Sequence, residues 1–338
     1  MRNLNIKDIA KLAGVGVSTV SRVINQHSDV KDETRERVLE VIAKYNYIPN
    51  NSARNLKRSE TMDVGILIKG MYNPFFAHMI ESIEKKLSFA GYSAVIHYNI
   101  EATKDIDAAF EFIMEKKLKG IICLGGDFDQ LTDKEIERLG VPLIMASTEI
   151  PELLNKNLFS SVIIDNEEAA KSATEFLIER GHRKIGIITS GDQDMSVGTI
   201  RTRGYIKALK ENNIEKNDNY FEVGAYTFET GYEAMKRLLE KADDLTAVFA
   251  ISDVMAIGAA KAICEKGLNI PDDISIIGFD DIDYAAFFNP ALTTIHQPVE
   301  EIAFATAEIM VGILDERQSH QHMVFPTEII ERSSCKTI

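Results

Sequence analysis

Ser18, Thr19, Ser21 and Arg22 stand together in Val17-Ser18-Thr19-Val20-Ser21-Arg22-Val23-Ile24-Asn25. Val17, Val20, Val23 and Ile24 recur at helical spacing and define an apolar face. The hydroxyls and the guanidinium then fall on the other side of the same helix. Hydroxyls pair adaptably with base edges, and an arginine can fork onto guanine O6 and N7, so this is chemistry for reading a DNA major groove. Ser18 equally suits backbone capping at a helix start.

Nothing in the chain offers catalytic chemistry of comparable density. No Gly-rich phosphate loop, nucleophile elbow or zinc signature is present. His182, in Arg180-Gly181-His182-Arg183, falls where a helix ends before a strand, a place for a polar or positive group beside the last carbonyls. His320 and His322 have no third ligand near them in sequence. Cys123, Cys264 and Cys335 are odd in number and widely spaced, as thiols in a reducing compartment are. No metal, no cofactor and no enzymatic activity are expected.

The groove-reading helix needs a partner to hold it. Ile6, Ile9, Ala10 and Ala13 mark a first helix, Gly14 can take the positive φ of a sharp turn, and Ala10 is small enough for the second helix to cross closely. Any pair of packed amphipathic helices shows as much, and the rest of the chain decides. Asp32 can cap a third helix whose Val38, Leu39, Ile42 and Ala43 cover the first two. Pro49 stops what precedes it, and Asn50 to Leu56 is a polar helix candidate with nothing of its own to pack on, fit to order only on DNA.

From Met62 the texture changes to short apolar runs alternating with helical periods. Val64 to Ile68, Tyr92 to Ile96, Gly120 to Leu124 and Leu143 to Ala146 read as strands of one lobe. The pattern restarts with Val162-Ile163-Ile164 and continues through Lys184 to Ile188, Ala247 to Ile251 and Ser275 to Gly278. Asn73 and Pro74 suit a helix start, and a strand is expected from Met323 to Ile330. Two doubly wound α/β lobes leave a cleft at the carboxyl ends of their strands, where small ligands bind.

Charge follows the same division. The chain of 338 residues carries a net −14, but residues 1–60 hold 11 Lys and Arg against 7 Asp and Glu, whereas the remainder holds 27 against 45. A basic head on an acidic body places the cationic face where a polyanion docks. No apolar stretch suggests a signal peptide or a bilayer span, so a cytoplasmic protein is expected.

Taken in order, Ile6-Lys7-Asp8-Ile9-Ala10, Val17 to Asn25, Tyr47-Ile48-Pro49-Asn50 with Ala53-Arg54-Asn55-Leu56, Asn73-Pro74-Phe75-Phe76, Asp165-Asn166, Gly181-His182-Arg183-Lys184-Ile185, Arg201-Thr202-Arg203-Gly204-Tyr205, Ser252-Asp253-Val254-Met255-Ala256, Gly278-Phe279-Asp280-Asp281 and Pro290 to Pro298 resemble the lactose/galactose repressor family of bacterial transcription regulators. The likeness covers essentially the whole chain. It implies an all-α three-helix helix-turn-helix head with a hinge helix, joined to two tandem doubly wound α/β lobes like those of periplasmic binding proteins. The implied division is 1–48 for the head, 49–61 for hinge and linker, and 62–338 for the core. Within the core, the first lobe takes about 62–161 and 291–321, the second about 162–290 and 322–338.

The resemblance implies base contacts from Val17, Ser18 and Arg22; Thr19, Ser21 and Asn25 of the same stretch, with Asn50, Ala53 and Leu56 from the hinge, are the further expected DNA contacts. Leu56 stands where the family wedges a leucine between central base pairs. For the cleft it implies Arg201, able to bond adjacent hydroxyls or pair with an acid. Asp253 and Asp280 end strands and precede turns, where carboxylates can accept from vicinal diols. Asp253 also suits a helix N-cap, without excluding ligand contact. Asp281 reads as structural, Phe75 and Tyr226 as aromatic faces for a sugar, and Ser147 as a further polar candidate.

The expected function is a sequence-specific DNA-binding regulator, a repressor of palindromic operators controlled by a small-molecule effector, a sugar or sugar phosphate. A homodimer is expected, with Phe76, Met79, Ile83 and the Ala262-Ile263 region as candidate contacts, and no heptad tail points to a higher oligomer. Alternatives are a global catabolite regulator activated by a phosphoprotein partner, and a sugar-binding transport protein or enzyme on the same lobes.

Overall fold

The computed structural model describes residues 6–24, 30–45, 62–70, 73–99, 104–191 and 197–338. The chain forms two units, 1–61 and 62–338.

In the first unit α1 (Ile6–Ala13), α2 (Val17–Ile24) and α3 (Asp32–Lys44) enclose Ile9, Ala10, Ala13, Val20, Val23, Val30 and Val38. Gly14 takes φ +66° between the first two helices, as the turn requires, and the Val15 N–H donates back to Ala10 at 3.0 Å. The third helix departs from its expected start. Lys31 is its N-cap, with no side-chain cap bond, and Asp32 is already helical. Leu39 is 47% exposed, while Val41 and Ile42 pack against the core beside Val38. A stripe shifted by this much follows from Val38 taking the centre of the contact. The expected hinge lies outside the described residues.

The second unit contains two six-stranded sheets. The first uses β1 (Asp63–Lys69), β2 (Ser93–Asn99), β3 (Gly120–Leu124), β4 (Leu143–Ala146), β5 (Ser160–Ile164) and β11 (His322–Phe325) in the order β11-β5-β4-β3-β1-β2, all parallel. The second uses β6 (Ile185–Thr189), β7 (Phe221–Val223), β8 (Ala247–Ala250), β9 (Ser275–Asp280), β10 (Thr293–His296) and β12 (Glu328–Ile330) in the order β12-β10-β9-β8-β6-β7. Only β12 runs antiparallel, against β10. The helices are α4 (Pro74–Phe89), α5 (Asp105–Lys116), α6 (Asp133–Leu139), α7 (Asn166–Glu179), α8 (Val197–Glu211), α9 (Phe228–Lys241), α10 (Asp253–Glu265), α11 (Asp283–Phe287) and α12 (Val299–Leu314). Central strands such as β3, β4, β6 and β8 are buried throughout, which explains why they read as unbroken apolar runs.

The chain crosses between the lobes three times: at Asp165 after β5, at Gln297-Pro298 after β10, and at Pro326-Thr327 between β11 and β12. These points correct the expected boundaries at 161/162, 290/291 and 321/322. Val162-Ile163-Ile164 belongs to the first lobe because β5 pairs with β4, and an apolar run carries no mark of which sheet it joins. Thr293–His296 belongs to the second lobe, paired with β9. The single strand expected from Met323 to Ile330 is divided at Pro326, which has no N–H for a ladder, and its halves serve different sheets.

Of the expected dimer contacts, Phe76 is half-buried and the others are interior. Met79 and Ile83 are 0% exposed in the first lobe's core, and Ala262 and Ile263 are 3% and 0% exposed in the second. Their periodicity records packing within a lobe.

Candidate functional site

On α2, Val17, Ser18 and Arg22 are exposed and Thr19 is half-buried, so this face of the first unit carries the side chains expected to meet base edges. Ser21 lies on the same helix; Asn25, Asn50, Ala53 and Leu56 lie outside the described residues.

In the second unit a cavity of about 440 Å³ opens between the lobes, within the usual range for small-molecule sites. Its walls come from strand ends. Lys69, Asn99, Gly125 and Ser147 end or follow β1 to β4, while Ser190, Gly224, Asp280 and Gln297 end or follow β6, β7, β9 and β10. In each lobe the strand order reverses beside the first strand, and crevices form at such reversals. Helix starts complete the wall with Asn73, Phe75 and Phe76 on one side and Val197, Arg201, Tyr226 and Thr227 on the other. Phe75 and Phe76 meet edge to face, 5.5 Å between ring centroids.

Arg201 is 4% exposed and held on every side. Its Nε donates to Asn166 Oδ1 at 3.0 Å, its Nη1 donates to the Ile251 carbonyl at 2.6 Å, and the guanidinium lies 3.5 Å from the Phe279 ring centroid. Asp280 Oδ1 is 3.5 Å from Arg201 Nη1 and accepts from Gln297 Nε2 at 2.7 Å. Burial pushes the Asp280 carboxyl up to about 6, against the pull of Arg201 and Gln297. Burial also draws the Arg201 guanidinium below its ordinary value.

The opposite lobe supplies a second polar cluster. Asp105, 3% exposed, accepts from Lys69 Nζ at 3.2 Å and Asn99 Nδ2 at 2.5 Å through Oδ1, and from the Asp127 N–H at 2.8 Å through Oδ2. The Ser147 and Ser190 side chains, one from each lobe, line the cavity, and their hydroxyls are buried without a hydrogen-bond partner among the described residues. Ser147, Tyr226 and Asp280 hold φ of 52°, 55° and 121°. Non-glycine residues rarely adopt such values, and their gathering at one cavity marks a place where strain aims side chains.

Five of the six residues expected in the cleft therefore line it: Phe75, Ser147, Arg201, Tyr226 and Asp280. Asp253 does not. It is 0% exposed, its Oδ1 accepts from Thr294 Oγ1 at 2.6 Å and its Oδ2 from the Ile282 N–H at 2.9 Å. Nor is it the N-cap of α10. Ser252 holds that place, accepting from the Met255 N–H, and Asp253 as the first helical residue turns sideways across β9 to β10. Its carboxyl sits well above the usual range, first through burial and then through neighbouring Asp280. Asp281 is structural as expected, accepting from Arg332 at 2.7 Å and facing His296 Nδ1 at 2.9 Å.

The sequence reading missed Lys69, Asn99, Asp127, Ser190 and Gln297. All except Asp127 end or directly follow a strand, and polar residues ending buried apolar runs were the available signal.

The head and the lobes both match known proteins. The profile described as bacterial regulatory proteins, lacI family, matches residues 5–50, and that of a periplasmic binding protein-like domain matches residues 174–335. The HTH-type transcriptional regulator MalR of Clostridium butyricum is 43% identical over 339 residues, covering 99% of this chain and 100% of its own. The chain belongs to the lacI family of bacterial regulatory proteins. The HTH-type transcriptional repressor PurR of Edwardsiella ictaluri (strain 93-146) is 36% identical over 335 residues, covering 97% of this chain and 96% of its own. Among solved structures, a complex of the transcriptional regulator CelR with cellobiose superimposes with TM-score 0.72 at 30% identity, over 98% of this chain and 99% of that one. As a lacI-family member the chain is a DNA-binding transcriptional regulator with a small-molecule-binding core, and its named relatives are regulators.

His182, His320 and His322 of this family member serve structure. His182 is 0% exposed and bridges Thr246 Oγ1 at 3.0 Å and the Lys336 carbonyl at 3.1 Å; it ties β6 to the segment after β12, whereas helix carbonyls were its expected partners. His320 and His322 pair with Ser160 and Ser161 at 3.0 and 2.8 Å. Among the described residues no group of three His, Cys, Asp or Glu is placed to hold a metal, and no helix is long and apolar enough to cross a membrane.

Proposed function

We propose that the chain is a homodimeric, operator-binding repressor whose affinity for palindromic DNA is set by a carbohydrate bound between the lobes. The observation that carries the ligand reading is the cavity between the lobes, lined by Ser147 and Ser190 from opposite sides beside Phe75 and Tyr226, with the two serine hydroxyls buried and unpartnered among the described residues. Hydroxyl-bearing and aromatic side chains around one cavity complement a sugar ring. A ligand held by both lobes binds one lobe arrangement better than another, which is all that coupling requires. The cellobiose bound to the related regulator CelR supports a saccharide.

A twofold dimer doubles the few phosphates that one three-helix head can reach. Phe228 and Tyr284 are 42% and 57% exposed and meet edge-on, and Phe287, one turn along α11, is 90% exposed; this apolar surface of the second lobe supports self-association. A phosphoprotein partner finds no support on the exposed groove along α12, about 670 Å³, because Glu300, Glu301 and Glu308 line it.

Thermal melting with a saccharide panel tests the ligand, since a compound that binds the folded form raises the melting temperature. The same compounds are then added to the protein on a fluorescent palindromic duplex. A purine base that stabilises the protein while every saccharide fails to do so overturns the carbohydrate reading.

A further inference from the structure

We infer that the cleft selects an uncharged polyhydroxylated ligand and rejects phosphorylated or carboxylated ones, with the Lys69–Asp105 pair setting that choice. The inference rests on the carbohydrate reading of the same cavity. Two cations among the described residues line it, and each already faces a carboxylate: Lys69 Nζ lies 3.2 Å from Asp105, and Arg201 Nη1 lies 3.5 Å from Asp280. Asp105 is fixed in this role, since Asn99 and the Asp127 N–H occupy its oxygens together with Lys69. Asp127 adds a further carboxylate to the wall.

Two of the helix starts at the cavity are closed to anions in the same way. Asn73 Oδ1 accepts from the Phe75 N–H at 3.1 Å, and Thr227 Oγ1 accepts from the Thr230 N–H at 3.1 Å, so these donors are already used. A phosphoryl group needs several donors with uncompensated positive charge. Here it meets balanced pairs and an extra carboxylate, and like charges brought together are strongly unfavourable. Sugar hydroxyls, by contrast, can donate to the carboxylates and accept from Lys69.

Calorimetric titration of the full chain with maltose, cellobiose and glucose, each beside its 6-phosphate ester, tests this. Any sugar that binds should do so about a hundredfold more tightly than its ester. Asp105→Asn leaves Lys69 without its carboxylate and should narrow that gap by about tenfold, and adding Lys69→Gln to it should restore the gap. An ester that matches its parent in the unaltered protein overturns the inference and leaves the carbohydrate reading standing. If neither form of any saccharide binds, both fall together. Should Asp105→Asn fail to fold, the comparison in the unaltered protein still decides.

Discussion

Asp253 separates a ligand-contacting carboxylate from a structural one, and its two substitutions should behave oppositely. Asp253→Ala removes the acceptor for two buried donors, Thr294 Oγ1 and the Ile282 N–H. Each orphaned buried donor costs about 1–3 kcal/mol, so a loss near 4 kcal/mol is expected. In a unit of this size that lowers the melting temperature by roughly 10 °C. Asp253→Asn keeps the shape, its Oδ1 accepting from Ile282 and its Nδ2 donating to Thr294. The carboxyl of Asp253 is raised well above the 3.8 of an ordinary aspartate. A group whose folded-state value is raised gives stability that is full below its unfolded value and is lost as pH rises toward and through the folded one. Relative to the asparagine variant, the native protein should therefore weaken by up to about 1.4 kcal/mol per pH unit from about pH 4 upward. Melting both proteins by circular dichroism from pH 5 to pH 8 measures the difference. A constant difference across that range refutes the reasoning, as does loss of ligand response in the asparagine variant, because Asp253 lies outside the cavity wall.

Arg201→Ala should abolish the response of operator binding to ligand while DNA binding itself persists, and should cost about 3–5 kcal/mol in thermal melts, because Asp280 is left buried without its cation. Gly204→Ala should destabilise the second unit by about 2–3 kcal/mol, since a Cβ there would stand 2.2 Å from the Glu167 carbonyl where α7 and α8 touch; equal melting temperatures would contradict this. Arg22→Ala should weaken operator binding by about 1–3 kcal/mol and relax base preference at one position of each half-site, as read by anisotropy on duplexes varied one base pair at a time.

The parts legible in the sequence were those that local chemistry dictates. Gly14 announced its turn because no other residue takes that φ as readily, and Asn73-Pro74 announced a helix start that the structure caps through Asn73 Oδ1. The lobes were legible from their buried strands, and the cleft from the ends of those strands. What stayed hidden depended on distant neighbours. Val162-Ile163-Ile164 is equally apolar whichever sheet receives it, and only pairing with Ile144 to Ala146 assigns it to the first. Asp253 and Asp280 both end apolar runs, yet one turns across its sheet to Thr294 and the other faces the cavity. Phe76 read as a surface contact because its spacing on α4 matches that of Met79 and Ile83, whereas the structure turns it into the cavity wall.

The three crossings also set an order of events during synthesis. The first lobe opens with β1 at Asp63, but α12, which packs on α4 and on β3 to β5, and β11, which pairs with β5, follow residue 298. A nascent chain that has emerged only as far as β10 has every strand of the second sheet except β12, and a first lobe with an uncovered apolar face. Such exposed surface is what chaperones recognise and what drives aggregation. A protein interrupted before residue 299 would therefore lack a packing layer and an edge strand of the earlier lobe, and the ligand clamp would be complete only once β11 and β12 had followed.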